Sequence, residues 1–92
     1  MTWSLARTDS FLATARKFFK RNPQLKGEFL ELLLQLERDP FAARLRTHPL
    51  KGRHKGTHAV SLTYSVRVVV LLRVTEKEVV LLDVGSHDEV YR

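Results

Sequence analysis

The run VRVVVLLRV, Val66 to Val74, is apolar at every position except Arg67 and Arg73. A strand with one wet face alternates apolar and polar residues; a strand covered on both faces does not. Five of its nine residues are valine, a residue that suits a pleated, packed surface. It therefore reads as the central strand of a sheet with cover on both sides. Thr75-Glu76-Lys77 turns the chain, and EVVLLDV, Glu78 to Val84, forms the next strand. Upstream, His58, Val60 and Leu62 alternate with Ala59, Ser61 and Thr63, and Tyr64–Ser65 is the predicted hairpin turn. Strands joined this tightly pair antiparallel.

Further upstream the period changes. Phe11, Ala15, Phe18 and Phe19 fall at i, i+4, i+7 and i+8, the apolar stripe of a helix, with Thr8, Asp9 or Ser10 to cap it. Asn22–Pro23 punctuates, as a cap with proline at the first helical position. Leu25, Phe29, Leu32, Leu33 and Leu36 then define a second helix, which Asp39–Pro40 ends. Thr2 to Arg7 alternates as a short first strand. Phe41 to Leu45 reads as a turn of helix, and THPLKGRHKGTH, Thr47 to His58, as an irregular basic loop. The predicted architecture is α+β, in the order β-α-α-β-β-β. A helical hairpin packs on one side of a small antiparallel sheet, in one domain over residues 1–92.

Charge adds a functional constraint. The chain carries a net +6. Between Pro40 and Thr75 there is no acid, but seven cations: Arg44, Arg46, Lys51, Arg53, Lys55, Arg67 and Arg73. That block contributes +7 and leaves −1 for the rest. A one-signed surface of this kind suits a polyanion, nucleic acid first. No apolar run approaches the ~20 residues of a membrane span. The start, MTWSLARTDS, lacks the pattern of a signal peptide, and the chain has no cysteine. These features predict a cytoplasmic protein without disulfides, and neither a metal nor a cofactor is expected.

The residues able to do chemistry cluster late. All four histidines, His48, His54, His58 and His87, lie in the second half. Cutting RNA through its own 2′-hydroxyl needs a base near that hydroxyl, a cation at the phosphate and an acid for the leaving oxygen. Histidine serves as base or acid near neutral pH, and arginine clamps phosphate without titrating. His48 opens the basic loop. Arg67 starts the central strand. His87 and Tyr91 follow the last strand, where Gly85 is expected to permit a turn. If those two strands pair antiparallel, Arg67 and His87 meet at one end of the sheet. Each residue also has a plain structural role available: His48 as a turn residue, Arg67 as a strand-end cap or partner of Asp83 or Asp88, Tyr91 as a ring packed on the sheet. Asp88 and Glu89 read as exposed acids that cap the turn or hold cations.

The HPLKG and HKG loop, the YSVRVVVLL strand and the closing LLDVGSHDEVYR, in this order of elements, resemble the RelE/ParE superfamily of toxins, and within it the RelE/YafQ-type mRNA interferases. The resemblance implies a small basic endoribonuclease that cuts mRNA in the ribosome without a metal. It implies a cognate antitoxin partner, and operator DNA bound only through the toxin–antitoxin complex. It implies catalytic roles for His48 (the histidine of HPL), Arg67, His87 (the histidine of G-[ST]-H) and Tyr91. It implies RNA contacts for Lys51, Arg53, His54, Lys55 and Ser61. Ser61 and Ser65 stand where YafQ-type enzymes carry a histidine and an acid, so the general base is left open. The same resemblance admits a ParE-like inhibitor of DNA gyrase, or a toxin-fold protein of weak or lost activity that acts through antitoxin and operator binding.

Overall fold

In the computed structural model, the structure describes residues 2–52 and 55–90. The strands are β1 (Ser4–Arg7), β2 (His48–Pro49), β3 (His58–Ser61), β4 (Val66–Arg73) and β5 (Glu78–Ser86). The helices are α1 (Asp9–Arg21), α2 (Lys26–Arg38) and a final turn, α3 (His87–Val90). Thr8 is the cap of α1: its Oγ1 accepts from the Phe11 N–H at 3.0 Å. Asn22 does not cap the second helix as expected. Its Nδ2 donates instead to the Phe18 carbonyl at 2.9 Å and closes α1, while Pro23–Leu25 form a 3-10 turn before α2.

The α+β class and the helical layer on one side of the sheet are as read from the sequence. The pairing differs at both edges. The sheet has five strands in the order β1-β5-β4-β3-β2. It is antiparallel except at β1, which runs parallel to β5 from Ser4↔Glu78 to Arg7↔Leu81. The cause lies in the helices. The Trp3 N–H donates to the Glu37 carbonyl (2.6 Å), so α2 ends beside the start of β1. The helical layer thus returns the chain to the end of the sheet where β1 began. β3 runs in the sense of β1, and two reversals later, through β4, β5 does so as well. At the other edge, His48–Pro49 pair with His58–Ala59 inside the segment expected to be irregular. A two-residue strand is too short to show a period.

Both faces of β4 are buried, as its composition requires. Val68 and Val70 pack with Phe11, Phe18 and Leu36 on the helical side, while Val69 packs with Leu50, Ala59 and Val90 on the other. The β4–β5 register slips once: Val69 pairs with Asp83 but Val70 with Leu81, leaving Leu82 as an extra residue on β5. The bulge decides which side chains face the helices. Val79 and Leu81 do so, and strict alternation would send Asp83 after them. With Leu82 inserted, Val84 takes that core position and Asp83 shares the second face with Val69.

This register makes an asymmetric prediction. Val84→Asp buries an unpaired charge and should cost about 3–5 kcal/mol, a large part of the stability of so small a domain. Asp83→Val loses only the local bond from the Val84 N–H (2.8 Å), worth about 1 kcal/mol. Urea midpoints of the two variants measure the difference.

Candidate active site

Three strands bring one row of residues together. Ser61 pairs with Arg67, and Arg67 with Gly85. Arg67 lies between Val66 and Val68, which face the helices, so this row belongs to the opposite face of the sheet. His87 begins α3 two residues beyond Gly85. The β3–β4 connection is wider than a two-residue turn and spans 62–65. Thr63 Oγ1 accepts from the Ser65 and Val66 N–H groups (3.3 and 3.2 Å). The Ser65 carbonyl in turn accepts from the His87 N–H at 2.8 Å. Arg67, the turn and the start of α3 are thereby tied into one unit, as antiparallel pairing of β4 and β5 led one to expect.

Arg67 serves as a cap at the end of its strand. Its Nη1 donates to the Thr63, Tyr64 and Val66 carbonyls at 2.9, 3.0 and 3.3 Å. Its Nε is buried without a partner among the described residues. A guanidinium anchored through one nitrogen keeps its plane fixed, which leaves Nη2 for an incoming anion. Neither Asp83 nor Asp88 pairs with it among the described residues.

Gly85 does not make a turn. It is the penultimate residue of β5, and a Cβ there would meet Glu89 Oε1 and Cβ at 3.2 and 3.3 Å. The glycine gives room for a reciprocal cap. Ser86 Oγ accepts from the Glu89 N–H (3.2 Å) while Glu89 Oε1 accepts from the Ser86 N–H (2.8 Å). This is the capping box S-x-x-E, and it was legible in Ser86-His87-Asp88-Glu89. Glu89 thereby fixes the first turn of α3, where His87 sits. The His87 side chain is 58 % exposed, with Nδ1 3.7 Å from the Asp88 carboxylate.

The remaining expected residues fall elsewhere. His48 pairs with Ala59, so it shares the face of Arg67, but two strands away. At ~5 Å per strand spacing it lies roughly 10 Å to the side of Arg67 and roughly 15 Å from β5. Its Nδ1–H donates to the Arg46 carbonyl (2.8 Å), and a carbonyl can only accept, so in neutral His48 the acceptor nitrogen is Nε2. Lys51 and Lys55 are exposed in the segment after β2. Ser61 also lines a shallow cleft with Glu28, Glu31 and Arg44, surroundings less suited to RNA than the row itself. Arg53, His54 and Tyr91 lie outside the described residues. No group of three or more His, Cys, Asp or Glu able to hold a metal occurs among the described residues.

Comparison with solved structures identifies the fold. The toxin–antitoxin complex DinJ–YafQ from E. coli matches with a TM-score of 0.77 over 100 % of both chains, at 16 % identity. The toxin–antitoxin complex RelBE2 from Mycobacterium tuberculosis matches with a TM-score of 0.74, covering 95 % of this chain and 100 % of that one, at 18 % identity. The chain has the fold of the RelE/YafQ-type toxins. A YoeB/ParE toxin from Agrobacterium tumefaciens shares the RelE-like fold as well, with a TM-score of 0.72 over 91 % and 98 % of the two chains, at 22 % identity. No family model and no curated protein matches the sequence. Within the RelE-like fold of this chain, α3 stands where Arg67 and the β3–β4 turn can reach it.

The cap predicts a graded result. Glu89→Ala or Ser86→Ala should cost about 1 kcal/mol of local stability and speed amide hydrogen exchange at His87 and Glu89 about fivefold. Glu89→Gln keeps the capping geometry and should leave exchange unchanged.

Proposed function

We propose that this protein is the toxin of a type II toxin–antitoxin pair and that it cuts mRNA on the ribosome. The observation that carries the reading is the meeting of Arg67, on the basic strand β4, with the start of α3 at His87. The RelE-like fold and its toxin relatives support it. In the proposed reaction the RNA 2′-oxygen attacks the adjacent phosphorus and the bond to the 5′-oxygen breaks. One proton leaves the 2′-hydroxyl and one joins the 5′-oxygen, and the products are a 2′,3′-cyclic phosphate and a 5′-hydroxyl. Arg67 holds the phosphate oxygens through Nη2 as negative charge grows. His87 carries a proton at the same end of the sheet. His48, with Lys51 and Lys55, contacts the strand farther along. This route needs no metal. The ribosome, by fixing the strand, supplies part of the acceleration through orientation.

The partner fits the same reading. A groove of about 490 Å³ between α1 and α2 is lined by Phe19, Phe29 and Leu30 and edged by Arg16, Lys20 and Lys26. An apolar floor with cations along its margins suits an amphipathic helix with acidic flanks, which we assign to the antitoxin. Operator DNA would be bound only by that complex. No helix among the described residues is long and apolar enough to cross a membrane, and the proposed target places the toxin in the cytoplasm.

Expression in cells, with mapping of mRNA ends and of plasmid supercoiling, tests the activity. The expected outcome is cut in-frame transcripts with supercoiling intact, reduced about 10²-fold or more by His87→Ala. Intact transcripts with lost supercoiling would assign the fold to gyrase instead. For the groove, Leu30→Glu should weaken the complex with the protein encoded in the neighbouring reading frame about tenfold or more, without lowering toxicity.

A further inference from the structure

Tyr64 leaves 93 % of its surface to solvent, against 52–62 % for the other exposed large apolar residues, Leu30, Leu34, Phe41 and Val74. A single exposed ring needs no explanation by itself. Its setting does. The main chain around it is held on every side: its own carbonyl and that of Thr63 accept from Arg67 Nη1, Ser65 N–H donates to Thr63 Oγ1, and the Ser65 carbonyl accepts from His87 N–H. The ring itself packs against no other aromatic among the described residues. A rigid turn therefore presents an unpacked aromatic face within one residue of the groups that touch Arg67 and α3, on a stretch with seven cations and no acid.

We infer that Tyr64 is a stacking platform for an unpaired nucleobase of the RNA strand whose phosphate Arg67 holds. The inference rests on the RNA-cleaving reading above and adds a binding contact to it. Stacking needs a flat face, a fixed base beneath it and a nucleobase free of its own helix; it reads no base edge and so tolerates any sequence. The ring carries the interaction, and the hydroxyl is dispensable. Because the side chain is exposed, its removal leaves the packing of the sheet untouched.

Fluorescence anisotropy of a labelled single-stranded oligoribonucleotide, titrated at low salt with the purified full chain, tests this. Tyr64→Ala should weaken binding about tenfold, and Tyr64→Phe should match the wild type. An abasic nucleotide stepped through the oligonucleotide should weaken wild-type binding at one position and make no difference there to Tyr64→Ala. Equal binding by wild type and Tyr64→Ala would overturn the stacking role while leaving the RNA reading standing. Equal weakness of Tyr64→Phe and Tyr64→Ala would also overturn it, by assigning the effect to the hydroxyl. A wild type that binds no single-stranded RNA would overturn both.

Discussion

The bulge at Leu82 is the constraint on which the rest of the molecule depends. Side chains alternate along a strand, so one extra residue exchanges the faces of everything beyond it. In β5 that exchange falls between Leu81 and Asp83. It keeps a carboxylate out of the helical core and puts Val84 there in its place. It also sets Gly85 opposite Arg67 and carries the chain into α3 on the face away from α1 and α2. A strand with no bulge would bury Asp83 and rotate the end of β5 away from Arg67. The stability of the sheet and the assembly of the site are therefore one problem in register, and one residue answers both.

Around that register the site is built largely from main chain. The β3–β4 turn offers two carbonyls to Arg67 Nη1, the first residue of β4 adds a third, and the turn's Ser65 carbonyl accepts from the His87 N–H. The capping box of Ser86 and Glu89 completes the first turn of α3. Four residues cannot form a stable helix alone, because nucleation costs more than so few bonds return. Here the cap, the bond to Ser65 and the burial of Val90 against Leu50, Ala59 and Val69 supply the difference. His87 is thus held by local bonds and by packing on β4, though its ring is in water. Ser61 and Ser65, at positions where a histidine and an acid were sought, instead contribute a pairing partner for Arg67 and a carbonyl for α3.

Much of this was legible in the sequence, for reasons that can be named. The phenylalanine stripe of α1 and the leucine stripe of α2 repeat at the helical period, and Val66–Val74 has no polar face to mislead. The meeting of Arg67 with the end of β5 followed from antiparallel order alone. What escaped was set by single residues or by distant contacts. In the run Val79-Val80-Leu81-Leu82 every residue is apolar, so no pattern marks which one is extra. The parallel pairing of β1 depends on where α2 ends, which Trp3 and Glu37 settle across the fold. Gly85 looked like a turn because glycine is common in turns, whereas its use is to admit the Glu89 side chain. His48 and His87, which the resemblance groups as one site, stand at opposite margins of the same face.

The most direct test of the account is the chemistry of the ends left on a defined mRNA treated with the purified protein, with and without programmed ribosomes. The account predicts 2′,3′-cyclic phosphate and 5′-hydroxyl ends that appear only when ribosomes are present. Intact mRNA under both conditions, or cleavage that leaves 3′-hydroxyl and 5′-phosphate ends, would contradict it.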